Sequence, residues 1–184
     1  MGIGKASIPN FYFMEISEAK LLLPELNSTQ PEIWADLGCG SGTFTYALAE
    51  KLSTESKIFA VDRIQQEFSE RYHQAKIDFK QADFENNDLN ILSLDGILLA
   101  NALHFVKNKV RLIQKLEGYF EQGNGRWIIV EYDHSVPNQW EPYPIPFVQL
   151  KLLFSQFGYS KIEKIGERKS VFGGTMYSAF ITKT

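Results

Sequence analysis

The sequence contains one cysteine, Cys39, among 184 residues, so no disulfide can close within the chain. Its first residues, Met-Gly-Ile-Gly-Lys-Ala, lack the long apolar core of a signal peptide, and with the lone thiol this points to a reducing cytoplasm. Long apolar runs are missing as well. The most apolar stretch, Ile91 to Leu103, is interrupted by Asp95 and Asn101 and falls short of the ~20 residues that cross a bilayer, so no membrane partner is expected. Basic charge is in deficit: 19 Lys and Arg stand against 22 Asp and Glu, giving a net charge of -3 and a pI near 5.7. That balance argues against nucleic acid, whose binders carry a clustered basic face. The three histidines are scattered, and no His, Cys and carboxylate spacing suggests a metal site.

What is present is apolar mass, 44% of residues, with 14% aromatic, enough for one core and too little length for two ordinary domains. A single domain over 1–184 is therefore expected. Strand-like runs alternate with segments of helical period, the pattern of an α/β fold with parallel strands. Ile33 to Gly38 reads as a first strand. Phe44, Leu48 and Leu52 mark one face of the helix after it. Lys57 to Asp62 reads as a second strand, Ile64 to Gln74 as a helix, Ile77 to Asp83 as a third strand and Leu94 to Leu103 as a fourth. Val106, Val110, Ile113, Leu116 and Phe120 predict the buried stripe of a helix that Gly123-Asn-Gly125 would stop. Arg126 to Asp133, apolar on both faces, predicts a strand in the sheet interior.

Residues 134–146 hold four of the seven prolines and predict a surface loop bordering a site. A helix over Phe147 to Phe157 and an antiparallel hairpin from Tyr159 to Lys169 and Gly174 to Thr182 would complete the chain. Upstream, a short helix from about Ser17 to Leu23 ends at Pro24. The domain then divides into a lid-like segment, 1–30, a cofactor-binding core, 31–133, and the loop, helix and hairpin of 134–184.

Asp36-Leu-Gly38-Cys-Gly40-Ser-Gly42-Thr lies between a strand and a helix, where glycines permit a sharp turn and close approach of backbone to a ligand. A dinucleotide fingerprint would have its third glycine at position 43, where Thr43 stands. Asp62, 20 residues after Gly42, ends the second strand where a carboxylate accepts the ribose hydroxyls of an adenosine.

These residues resemble the class I methyltransferases that use S-adenosylmethionine (SAM), especially those that methylate small molecules. Asp36-x-Gly38-x-Gly40-x-Gly42 is similar to the first motif of that family and Ala60-Val-Asp62 to the second. Gln81-Ala-Asp83-Phe84 resembles the third, in which the acid meets the adenine amino group and its neighbour packs on the ring. Asp95 to Phe105, containing Asn101 and His104, resembles the fourth strand and its exit toward the transferred methyl. The resemblance implies a three-layer α-β-α sandwich with a mostly parallel, Rossmann-like, seven-stranded sheet ending in an antiparallel hairpin. It implies a cofactor site of Asp36, Gly38, Gly40, Gly42, Asp62, Asp83, Phe84 and Asn101, with S-adenosylhomocysteine (SAH) as product.

Methyl transfer from a sulfonium needs alignment and dryness more than a catalytic triad. His104 is the candidate general base, and packing beneath the cofactor is the competing role for it. Glu131, Asp133 and His134 are weaker alternatives. Asp83 could instead cap a helix, Asp95 reads as structural, Cys39 as a packing residue and His73 as surface. Tyr12 and Trp140 are expected to line the acceptor pocket. The fourth strand lacks the Asn-Pro-Pro-aromatic run of base-amino methylases, which leaves a small-molecule acceptor, with a homodimer open as a source of further pocket residues. A SAM- or SAH-binding regulatory module without transfer, and a nicotinamide oxidoreductase, are the rival readings.

Overall fold

In the computed structural model, residues 14–121, 125–170 and 174–183 are described. Tyr12, expected in the acceptor pocket, lies outside them. Eight strands form one sheet: β1 (Ile33–Leu37), β2 (Lys57–Asp62), β3 (Arg71–Tyr72), β4 (Ala75–Gln81), β5 (Gly96–Ala100), β6 (Arg126–Tyr132), β7 (Lys161–Lys169) and β8 (Thr175–Thr182), in the order β3-β4-β2-β1-β5-β6-β8-β7. Strands β1, β2, β4, β5 and β6 are parallel, and β8 and β7 add an antiparallel hairpin to β6. The mostly parallel α/β architecture is the expected one. The seven strands anticipated become eight because two-residue β3 pairs antiparallel with β4 at the edge.

Helices cover both faces of the sheet. On one side α1 (Ile16–Lys20) and α2 (Thr43–Ala49) pack over Trp34, Leu98 and Ile128. On the other, α3 (Lys109–Glu117) and α4 (Phe147–Ser155) pack over Ile97, Leu99, Trp127 and Ile129. Alternate residues of each buried strand thus feed opposite cores, as a period of two requires. Fully buried Trp127 meets Phe120, Phe154 and Tyr159 edge to face, joining β6 to α3's exit and to α4. Strand β6 lies between β5 and β8, in the sheet interior as its composition predicts.

Residues 64–74 form no helix. Ile64, Phe68 and Tyr72 recur at helical spacing, yet the segment runs extended and turns through His73 at φ 49° into β4. Each aromatic is anchored separately: Phe68 stacks on Phe79 with centroids 5.6 Å apart, and Tyr72 lies 4.6 Å from Tyr46. Tertiary contacts of single rings replace a continuous helical stripe, and Ile64 is left exposed. Three smaller expectations are corrected. The fourth strand stops at Ala100, because Asn101 takes φ 54°. Val110 is exposed, Leu112 taking its place in the core. Helix α3 ends at Gly118, well before the Gly123-Asn124-Gly125 stop; 122–124 lie outside the described residues.

The described part of the N-terminal segment packs into the core through Ala19, Leu22, Leu23 and Leu26, with Glu18 paired to Arg168 at 2.6 Å. Residues 134–146 carry no helix or strand, as their prolines predict. No helix among the described residues is long and apolar enough to cross a membrane.

Candidate functional site

The strand order reverses between β1 and β5, and in parallel sheets a crevice opens beyond the carboxyl ends of the strands at such a point. Here the chain leaving β1 meets the chain leaving β5. A cavity of about 250 Å³ lies there, lined by Gly38, Asp62, Asp83, Phe84, Asn101 and Phe105 among others. Five of the eight residues expected to hold a cofactor therefore share one wall.

Gly38 has φ 79°, and a Cβ built on it would come within 2.8 Å of the Ala102 Cβ, so two strand exits pass as closely as a missing side chain allows. The turn is held by N–H donations from Gly38 and Cys39 to the Val61 carbonyl, at 2.8 and 3.1 Å. Gly40 donates its N–H to Asp62 Oδ2 at 2.9 Å, and Ile64 donates to Asp62 Oδ1 at 2.9 Å. Gly42 is not in the cavity wall. It is the N-cap of α2, and Phe68 lies so close that a Cβ there would meet its ring at 2.5 Å.

Asp36 is buried behind the turn. Its Oδ2 accepts the Thr45 hydroxyl at 2.6 Å, while Oδ1 has no partner among the described residues. Burial pushes the carboxyl up to about 7, against the pull of the Thr45 hydrogen bond and with the Asp62 charge adding to the rise. Asn101, strained at positive φ, likewise buries an Oδ1 with no partner among the described residues. Two orphaned acceptors at one glycine turn suit a ligand that brings donors and positive charge.

Asp83 caps its own turn. Its Oδ1 accepts the N–H groups of Glu85 and Asn86 at 2.9 and 3.3 Å, and Oδ2 accepts the Asn86 amide at 2.9 Å. No helix follows, so the helix-capping alternative is not realised and Asp83 instead closes a turn; the Asn86 bond, before the backbone ones, holds the carboxyl below the usual range. Lys115 of α3 ties this turn down through the carbonyls of Phe84, Glu85 and Asn87. The residues sequence reasoning missed are these supports, Thr45, Phe68 and Lys115, which touch the site only through folding and carry no motif. Against α3, the same turn borders a larger depression of about 490 Å³. Its charges are mixed, Glu85 and Asp88 against Arg111 and Lys115, and it has no glycine turn.

His104 is 4% exposed and sits in a 3-10 turn (Leu103–Phe105) just past β5. Its Nδ1 lies 2.8 Å from Glu131 Oε2, and its main-chain N–H donates to Glu131 Oε1 at 3.0 Å. The ring packs 4.2 Å from the Phe105 centroid, behind the cavity wall rather than in it. The signal for Glu131 was legible: it is the one charge inside the apolar run of β6. Asp133 receives the Phe147 N–H at 2.9 Å and Lys164 at 3.1 Å, and His134 pairs with Glu141. Trp140 is 73% exposed and does not line the cavity. Cys39 is buried, its thiol pushed up by burial and by the nearby Asp36, as befits a packing residue. Asp95 holds the Ile33 N–H at 2.8 Å and His73 is exposed, both as anticipated. No group of three or more His, Cys, Asp or Glu suited to a metal occurs among the described residues.

A family model described as a methyltransferase domain matches residues 33–151, from β1 into α4. Among solved structures, the chain is similar to 1,6-didemethyltoxoflavin-N1-methyltransferase of Burkholderia thailandensis with bound 1,6-didemethyltoxoflavin and SAH. The TM-score is 0.66 at 16% identity, over 91% of this chain and 76% of that one. It is similar to magnesium protoporphyrin IX methyltransferase of Synechocystis PCC 6803 with bound SAH (TM-score 0.60, 13% identity, 84% and 75% covered). A SAM-dependent methyltransferase of Aquifex aeolicus gives a TM-score of 0.60 at 11% identity, with 85% of each chain covered. No curated protein sequence matches the chain.

Proposed function

The chain belongs to the methyltransferase domain family, and within it we propose that the cavity between the β1 and β5 exits binds SAM for transfer of its methyl group to a small-molecule acceptor. The observation that carries this reading is the Gly40–Asp62 hydrogen bond, which closes turn and acid around one cavity. The orphaned acceptors Asp36 Oδ1 and Asn101 Oδ1 fit a ligand bearing an ammonium and a sulfonium. We assign Asp62 to the ribose hydroxyls, Asp83 and Phe84 to the adenine, and Gly38 and Gly40 to main-chain contact, a reading supported by four of the five lining one cavity and by the Gly40–Asp62 bond. Gly42 shapes the turn from behind.

Bound SAM supplies an electrophilic methyl carbon whose leaving group is a neutral thioether. The protein's part is alignment and exclusion of water, worth orders of magnitude in rate when reacting atoms are held in line. Phe105, in the cavity wall and 54% exposed, offers an apolar face to an acceptor. His104, just behind it, is the base we assign, its Nδ1 engaged by Glu131 Oε2 at 2.8 Å. Tyr12 remains assigned to the acceptor side, and Trp140, exposed and outside the cavity wall, is not. The acidic pI and single thiol favour a small molecule over nucleic acid and a cytoplasmic setting, and a second subunit would be the source of any further pocket residues.

A second reading, a SAM- or SAH-binding module without transfer, rests on the burial of His104 behind Phe105. Calorimetric titration with SAM and with NADH tests the cofactor: micromolar SAM binding abolished by Asp62→Ala is expected. Preference for NADH, or no SAM binding, would sink the proposal. SAH formation in an acceptor screen separates the enzyme from the binding module.

A further inference from the structure

The proline-rich loop ends in Pro142-Tyr-Pro144-Ile-Pro146, a run in which only Tyr143 and Ile145 carry a main-chain N–H. Prolines fix their own φ and drive the residue before each of them to extended backbone, so the run is stiff before it touches anything. It is also pinned. The Tyr143 N–H donates to the His104 carbonyl at 3.0 Å, the Ile145 carbonyl accepts the Tyr177 hydroxyl at 2.7 Å, and the Tyr143 carbonyl accepts the Lys109 ammonium at 2.7 Å. Lys109, the first residue of α3, donates as well to the Val106 carbonyl at 2.8 Å and lies 5.8 Å from the centroid of the Tyr143 ring. Burial holds this ammonium below its usual pKa, with the Glu131 and Glu85 charges opposing the fall. A partly buried ammonium needs acceptors, and those it has are carbonyls of two separate segments; no carboxylate pairs with it among the described residues.

One of those segments walls the cavity. Phe105 and Val106 line it, and with 54% of Phe105 exposed, packing on its outer face does not aim the ring. The bonds within the turn are local: Phe105 N–H to the Ala102 carbonyl at 3.3 Å and Val106 N–H to the Leu103 carbonyl at 3.1 Å. At its start the turn is anchored by the His104 N–H on Glu131; at its end the Val106 carbonyl goes to Lys109. We infer that Lys109 is a positioning residue for the methyl acceptor: it latches the stiff 142–146 run onto the Leu103–Phe105 turn, and the latched run holds Phe105 as a fixed wall of the acceptor pocket. The inference rests on the methyltransferase reading above and adds to it a residue from outside the cavity. Tyr143, with its N–H on His104 and its carbonyl on Lys109, spans the turn, so the turn cannot shift without the run. Loss of the latch unpairs two carbonyls and frees the Phe105 end while leaving Gly38, Asp62 and Asp83 untouched. Acceptor binding should therefore separate from cofactor binding.

Amide hydrogen exchange and NMR on the cofactor-free protein test the latch. In the wild type the Tyr143 amide should exchange about tenfold or more slowly than an unbonded amide, the scale of one hydrogen bond. A Tyr143 amide that exchanges freely overturns the inference before any variant is made. In Lys109→Met, which keeps the apolar stem, that amide should quicken about tenfold, and the Phe105 ring resonances, assigned with Phe105→Leu, should shift, while exchange in β5 and β6 stays as it was. Unmoved Phe105 resonances overturn it. Lys109→Arg keeps the charge and the donors and should lie nearer the wild type than Lys109→Met in both readouts; the reverse order counts against the latch. The Kd for SAM should stay within about twofold in Lys109→Met. With the acceptor that the screen returns, the KM for that acceptor should rise about tenfold at a kcat within about threefold, a split that general loss of stability does not give. An unchanged KM overturns the positioning role. A wild type that binds no SAM strikes the methyltransferase reading instead, and the exchange and ring results still decide the latch.

Discussion

Asp62 Oδ2 accepts the main-chain N–H of Gly40 at 2.9 Å, across 22 residues of sequence. The acid that ends β2 therefore braces the glycine turn that ends β1, besides facing the cavity. Asp62→Asn keeps an acceptor oxygen for that bond and should raise the Kd for SAM about tenfold. Asp62→Ala loses the brace together with the proposed ribose contacts and should raise it about a hundredfold, given about 1.5–3 kcal/mol for a hydrogen bond to a charged group. Calorimetry on both variants checks the order.

Asp36 is expected to couple cofactor affinity to pH. Its folded carboxyl is raised to about 7 from 3.8, so its contribution to the stability of the free protein is full below pH 3.8 and is lost as pH rises toward 7. A cationic ligand favours the ionised form, so SAM affinity should move the opposite way, weakening about tenfold between pH 8 and pH 6. Asp36→Asn should bind weakly and without that slope. A flat profile in the wild type would show that Asp36 does not face the cation.

Gly38 and Gly40 should separate fold from binding. At Gly40, φ is 50° and a Cβ meets nothing, so Gly40→Ala carries only the left-handed backbone cost of about 1–2 kcal/mol while intruding on the ligand. At Gly38 the same change adds a 2.8 Å clash with Ala102, about 1–3 kcal/mol more. Melting curves should rank Gly38→Ala lower, and both should lose SAM binding. Gly40→Ala that binds SAM normally would move the cofactor away from the turn.

Lys115 reaches from α3 to three carbonyls of the turn bearing Asp83 and Phe84. Lys115→Met should raise the Kd for SAM several-fold with little change in melting temperature, since the turn is exposed. Amide hydrogen exchange at Asn86 and Asn87 should quicken in step. No change in either would show that Asp83 capping alone sets the turn.

Most of the fold was readable because the parallel strands are buried runs and the period of their residues reports which face each serves. Where reading failed, at 64–74, the spacing of Ile64, Phe68 and Tyr72 satisfied two structures at once. The choice fell to partners far away in sequence, Tyr46 and Phe79. The cavity wall was legible at Asp62 because a single acid ended a strand. For Gly42 the motif named the residue but not its role, which depends on Phe68 lying over it.

By itself the sequence determined the strand–glycine turn–helix opening, the acid at the end of β2 and the burial of β6, since each follows from local residue chemistry and period. Tertiary structure alone decided that Asp62 would brace Gly40, that Asn101 would bury beside the turn an oxygen with no partner among the described residues, and that Glu131 would bond both the main chain and the ring of one histidine. The two bonded pairs join residues 22 and 27 positions apart, and Asn101 is set beside a turn that lies on another strand's exit, so no local pattern encodes the distances that result.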